Sequence, residues 1–124
     1  MRTIVGIGLA GAVGALSRYG LEGLISHRLP GSFPSGTFVI NVTGSFVLGF
    51  LFVVLTERIA ASPALRTSLM VGFVGAYTTF STFSFETVRL IEDGALRTAA
   101  LNVAETVVLG LLAVWAGMTV GRAI

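Results

Sequence analysis

Thr78-Thr79-Phe80-Ser81-Thr82-Phe83-Ser84 sets five hydroxyl side chains and two phenyl rings, without a charge, midway along an apolar stretch from about Ser68 to Leu90. That stretch is long enough to cross a bilayer, which takes about 20 mostly apolar residues. In hydrocarbon an unsatisfied polar group costs several kcal/mol, so hydroxyls gathered at that depth need partners from protein or from a permeant. Phe80 and Phe83 are spaced i, i+3, and Ser81 and Ser84 repeat the spacing one residue later. A helix would therefore carry an aromatic line beside a hydroxyl line. Upstream, Gly72 and Gly75, next to Ala76, weaken the helix and point to a break near Gly75–Thr79. The plainer alternative is a Ser/Thr-rich helix contact of the kind common in membrane bundles.

Of the 124 residues, 54% are hydrophobic and 11% charged, where soluble domains carry about a quarter charged. Mean hydropathy is +0.92. This composition implies an all-α integral membrane protein. The chain divides into four spans, at about 4–25, 37–56, 68–90 and 96–120, separated by Pro/Gly-rich or charged turns. No connection is long enough for a soluble domain, so residues 1–124 are expected to form a single four-helix transmembrane unit. The first span has signal-peptide-like features but three spans follow it, and it is read as retained. With no cysteine, disulfides and thiolate chemistry are excluded. A net charge of +2 spread over short loops gives no nucleic-acid patch.

The placement of charge says more than its total. With the N-terminus in the cytoplasm, that side holds Arg2, Arg58, Arg66 and Arg122, and the other holds Arg28, Arg89 and Arg97. So small a bias assigns no orientation under the positive-inside rule. Either one topology is weakly signalled, or the chain inserts both ways and generates inverted symmetry from two copies.

Small residues recur at four-residue spacing in the first span (Gly6/Ala10/Gly14, Gly11/Ala15) and the fourth (Ala113/Gly117/Gly121), as close helix contacts in lipid require. Thr37, Asn41 and Ser45 form a polar stripe on the second span. The stripe can bond a neighbouring helix or serve a desolvated anion. Arg18 and Glu22 stand i, i+4 and would pair or snorkel. Glu86, near the end of its span, would face a vestibule, and Glu105 beside Asn102 and Thr106 suggests a wet or interfacial surface. No enzyme constellation is present: there is no HExxH, no lipase-type serine motif and no intramembrane carboxylate pair with a histidine. Hydroxyls and amides donate to anions, and phenyl rings offer positive edges. Carbonyls freed at a helix break can hold a small cation.

Gly75-Ala76-Tyr77-Thr78-Thr79-Phe80-Ser81-Thr82-Phe83-Ser84-Phe85-Glu86 resembles the GxxTTFSTFSxE signature of the Fluc/CrcB-type fluoride channels. Gly36-Thr37-Phe38-Val39-Ile40-Asn41 resembles their GTxxxN, and Gly11 to Arg18 their GxxGAxxR segment. The resemblance covers essentially the whole chain. It implies an antiparallel, dual-topology homodimer in a prokaryotic cell membrane, exporting fluoride passively through two pores and not acting as an enzyme. It further implies that Asn41 contacts fluoride and that Phe80 and Phe83 line the pore with their ring edges. Ser81, Thr82 and Ser84 would belong to the pore or its supporting shell. A structural sodium ion would lie at the dimer centre on the carbonyls of Gly75 and Thr78, and Arg18 would have a structural or vestibule role. The fourth span departs from the family, with Asn102 and Thr106 on the polar track and Glu105 between, and Thr106 is its candidate pore residue. A small multidrug exporter would share the size and span number, but it needs a carboxylate deep in the first span, where this chain has Gly and Ala. Glu105 is the one residue that could serve a proton-coupled carrier, and a non-transporting assembly subunit is the third reading.

Overall fold

The computed structural model describes residues 1–124, and every regular element in it is helical. Helix α1 spans Arg2–Arg28, and α2 spans Ser35–Val53 before widening into a π-helical turn, Val54–Arg58. A rod over 63–77 follows, built of α3 (Pro63–Thr67), a π-helical stretch (Ser68–Val74) and α4 (Gly75–Tyr77). After a two-residue interruption come α5 (Phe80–Glu92) and α6 (Leu96–Ala123). Three helices are long and apolar enough to cross a membrane: Arg2–Arg28, Ser35–Arg58 and Leu96–Ala123. The remaining crossing is divided between the rod and α5.

Local chemistry sets the ends of these pieces. Pro63 opens α3 at a position whose N–H has no helical partner, and the Ser62 hydroxyl accepts from Leu65 N at 3.3 Å. The rod therefore starts inside the segment expected as a connection. Gly94, at φ +77, turns the chain between α5 and α6 where a side chain would be strained.

Helix α2 is the centre of the bundle. It packs against α6 along one side and against α1 along another, while α1 also carries the rod. The α2–α6 crossing is close enough to exclude a Cβ. One added at Gly117 would collide with Phe46 O and lie 2.9 Å from Phe50 N. Gly14 is closed off likewise by the Phe73 carbonyl, so α1 meets the rod backbone to backbone. The small-residue faces read from the sequence thus serve contacts inside one chain: Gly14, Ala113, Gly117 and Gly121 are buried, and Gly6, Ala10, Gly11 and Ala15 are half-buried.

Outward, the chain is strongly apolar. Leu101, Val103, Val107, Val108, Leu111, Leu112 and Trp115 of α6 are all exposed. In water such a face would be an aggregation site; against lipid or another helix it is satisfied.

Candidate functional site

The interruption is made by Thr78 (φ −83, ψ 159) and Thr79 (φ −151, ψ 114), both extended. Threonine accepts this backbone readily, because its branched β-carbon packs well in extended chain. The glycines expected to weaken the helix do not make the break. Gly75 is helical, at φ −61 and ψ −36, and Gly72 serves the contact with Ile7 on α1.

A break at membrane depth leaves backbone groups without helical partners. In a continuous helix the Thr79 N–H would donate to Gly75 O; here it donates to Asn41 Oδ1 at 2.8 Å. Asn41 Nδ2 donates in return to Thr79 O at 3.0 Å. The amide thus does what a neighbouring strand would do. Below it, the Thr79 hydroxyl caps α5 by accepting from Thr82 N at 3.2 Å. It also lies 3.2 Å from Ser81 Oγ and 3.0 Å from Thr82 Oγ1, so three hydroxyls form one cluster. Gly44 lets α2 approach: its missing Cβ makes room for the Thr78 methyl group and the Tyr77 ring.

A cleft of about 280 Å³ opens beside the break. Asn41, Gly44, Ser45 and Leu48 line it from α2, Thr78 and Thr79 from the break, Phe80 and Phe83 from α5, and Thr106 from α6. The Phe80 and Phe83 ring centroids are 5.8 Å apart and the rings are inclined at 47°. Phe80 is 79% exposed, so most of its surface awaits a partner outside this chain. The cleft combines an amide, several hydroxyls and two phenyl rings, with no charged residue lining it. Hydroxyl protons here rest on carbonyls, as in Ser45 Oγ to Asn41 O at 2.7 Å and Thr78 Oγ1 to Val74 O at 3.0 Å. Such rotors can turn towards a small anion without moving the backbone.

Thr106 is held at the cleft by a second polar chain. Its hydroxyl donates to Asn102 Oδ1 at 3.4 Å, and Asn102 Nδ2 donates to Thr87 Oγ1 at 2.9 Å. Thr87 Oγ1 donates to Phe83 O at 2.8 Å. Both Asn102 and Thr87 are buried, so these bonds fix α6 on α5. Thr87 was missed by sequence reasoning, although its place four residues after Phe83 was a usable signal.

The other candidates are dispersed. Ser81 is exposed, Thr82 and Ser84 are half-buried, and none of the three lines the cleft. Gly75 is exposed just above it. Arg18 is half-buried and forms no ion pair; the pairing with Glu22 suggested by spacing is absent. Glu22 and Glu86 instead meet at Thr37. Glu105 lies away from the cleft, in an apolar depression with Phe38, Ala104, Val108 and Leu109.

Known proteins are similar in sequence to nearly the whole chain. The family described as "CrcB-like protein, Camphor Resistance (CrcB)" matches residues 5–118. A protein of Nitratidesulfovibrio vulgaris named "Fluoride-specific ion channel FluC" is 49% identical over 122 residues, 98% of each chain. One of the same name from Acidobacterium capsulatum is 49% identical over 118 residues, 95% of this chain and 94% of its own. Another, from Geobacter sp., is 46% identical over the full length of both. With the match running through α1, the break and α6 alike, the chain belongs to the CrcB-like family.

Proposed function

We propose that the protein is a fluoride-selective ion channel of a prokaryotic cell membrane, which lets accumulated fluoride leave the cytoplasm passively. The observation that carries this is the cleft at the break, which Asn41, the hydroxyls of Ser45, Thr78, Thr79 and Thr106 and the phenyl groups of Phe80 and Phe83 line without a charge. Fluoride is small and strongly hydrated, so close donors must replace its water at a narrow constriction. Chloride is too large for the same donors to close around it. The relatives named above bear the fluoride channel in their names, and the carboxylate a carrier would use, Glu105, does not line the cleft. Proteoliposomes are expected to release fluoride rapidly and chloride at background. Phe80→Ile and Phe83→Ile should each slow fluoride release about threefold to tenfold by removing the positive ring edge while keeping bulk. Comparable chloride release, or acceleration only under a proton gradient, refutes the channel reading.

The working unit in this proposal is an antiparallel homodimer. The exposed Phe80 ring, the apolar α6 face and the near balance of arginines between the two sides support it. A sodium ion fits its centre in one respect. Gly75 is exposed and its carbonyl has lost the Thr79 donor, and no acidic or histidine cluster competes for a cation. Gly75 and Thr78 of one chain offer too few oxygens alone, and two copies about a twofold axis would supply a coordination shell. An arginine-rich tag that forces one orientation is expected to abolish activity, and co-expression of an oppositely biased version to restore it. Full activity from a population inserted one way only would refute the antiparallel arrangement.

A further inference from the structure

Thr37 Oγ1 stands 3.0 Å from Glu22 Oε1 and 2.8 Å from Glu86 Oε1, and Thr37 is only 2% exposed. A hydroxyl has one proton and can donate to one carboxylate at a time. If both glutamates were ionised, one carboxylate oxygen would face the hydroxyl lone pairs at hydrogen-bond distance. Two negative charges would also lie across a single atom. Neither glutamate takes part in an ion pair: those of the chain are Arg89–Glu92 and Arg122–Glu57, and Arg18, one turn before Glu22 on α1, pairs with neither.

The charged surroundings can be named element by element. From α1, Tyr19 shares the cleft that Glu22 lines. Helix α2 has no titratable side chain between Ser35 and Val53. From α5 and its C-cap, Arg89 and Asp93 line the cleft of Glu86, with the Arg89 guanidinium turned to Glu92. Helix α6 brings neither Arg97 nor Glu105 to either cleft.

The two carboxyls are not equivalent. Glu86 Oε2 is buried with no partner. A carboxylate oxygen is poorly tolerated in that state, whereas the carbonyl oxygen of a neutral carboxyl is tolerated far better. Glu22 opens onto a cleft of about 320 Å³ with Ser26, where water can solvate its charge. We propose that Glu22 and Glu86 share one proton through Thr37: Glu86 Oε1–H donates to Thr37 Oγ1, and the Thr37 hydroxyl donates to Glu22 Oε1. The pair then holds one negative charge instead of two at its end of the bundle. On the fluoride reading above, it sets how readily an anion enters there.

Infrared difference spectroscopy on the purified protein in lipid tests this without reference to transport. A protonated-carboxyl C=O band is expected at neutral pH. It should vanish in Glu86→Gln, persist in Glu22→Gln (whose amide oxygen still accepts from Thr37) and disappear from the parent at alkaline pH. Fluoride efflux from the parent should fall about twofold over the same alkaline range, the order of effect that one added charge has on an anion passing at a distance through water. Efflux through Glu86→Gln, whatever its level at neutral pH, should show no such alkaline fall. Absence of the band from the parent overturns the proposal, as does a band kept in Glu86→Gln and lost from Glu22→Gln. Stabilisation by sodium in place of the band overturns it in favour of a bridging cation. A band that behaves as expected in a protein without fluoride flux would leave the shared proton standing and remove the channel reading.

Discussion

Asn41→Asp is expected to reduce fluoride efflux at least about a hundredfold. The substitution keeps the Oδ1 acceptor for the Thr79 N–H but sets a second carboxylate oxygen where Nδ2 now donates to Thr79 O at 3.0 Å. A donor–acceptor contact becomes an oxygen–oxygen repulsion, with a charge added at membrane depth. Leaving such a group unpaired costs about 3 kcal/mol, which is roughly a hundredfold in a rate or a population. On the proposed function, the same change also puts a negative charge in the path of an anion. Asn41→Ala separates the two effects. It removes both bonds without adding charge, so it should lower efflux less while still loosening the break. Efflux from Asn41→Asp equal to that of the parent would remove Asn41 from both roles.

Gly117→Val is expected to cost the protein its fold rather than its selectivity. The new side chain would be driven into the Phe46 carbonyl and against Phe50 N, backbone atoms that can yield only if α2 and α6 separate. Overpacking of this kind costs about 3 kcal/mol. In a chain of this size that lowers the melting temperature by about 10 °C or more. Thermal unfolding in detergent, followed by size-exclusion chromatography, measures it. Gly8→Val is the control, since nothing lies within 4 Å of an added Cβ there. Equal stability of the two variants would mean that the α2–α6 crossing does not hold the bundle together.

The sequence pointed to a break in the third crossing on the weak helix propensity of Gly72 and Gly75 beside Ala76. It misplaced the cause. Glycine's low helix propensity drew attention to Gly72 and Gly75, yet both are helical and the interruption falls on two threonines. Propensity describes an isolated helix. Here the decisive contribution is an asparagine 38 residues earlier, which accepts and donates at once. Spacing likewise set Arg18 beside Glu22, but Glu22 instead approaches Thr37, supplied by another helix. The cleft members Asn41, Phe80, Phe83 and Thr106 were legible as polar or aromatic stripes. The tie from Thr106 through Asn102 to Thr87 was not, because it depends on how α5 and α6 are rotated about their axes.

The reciprocal bonds between Asn41 and Thr79 also constrain biosynthesis. Residues 78–79 leave the ribosome when α2 has already been made, so the amide that satisfies them is in place before the break enters the membrane. Without α2, the Thr79 N–H and C=O would meet hydrocarbon with no partner, and each would oppose insertion by several kcal/mol. Insertion of the second and third crossings as one hairpin would spare that cost, the earlier helix acting as an intramolecular chaperone for the later one.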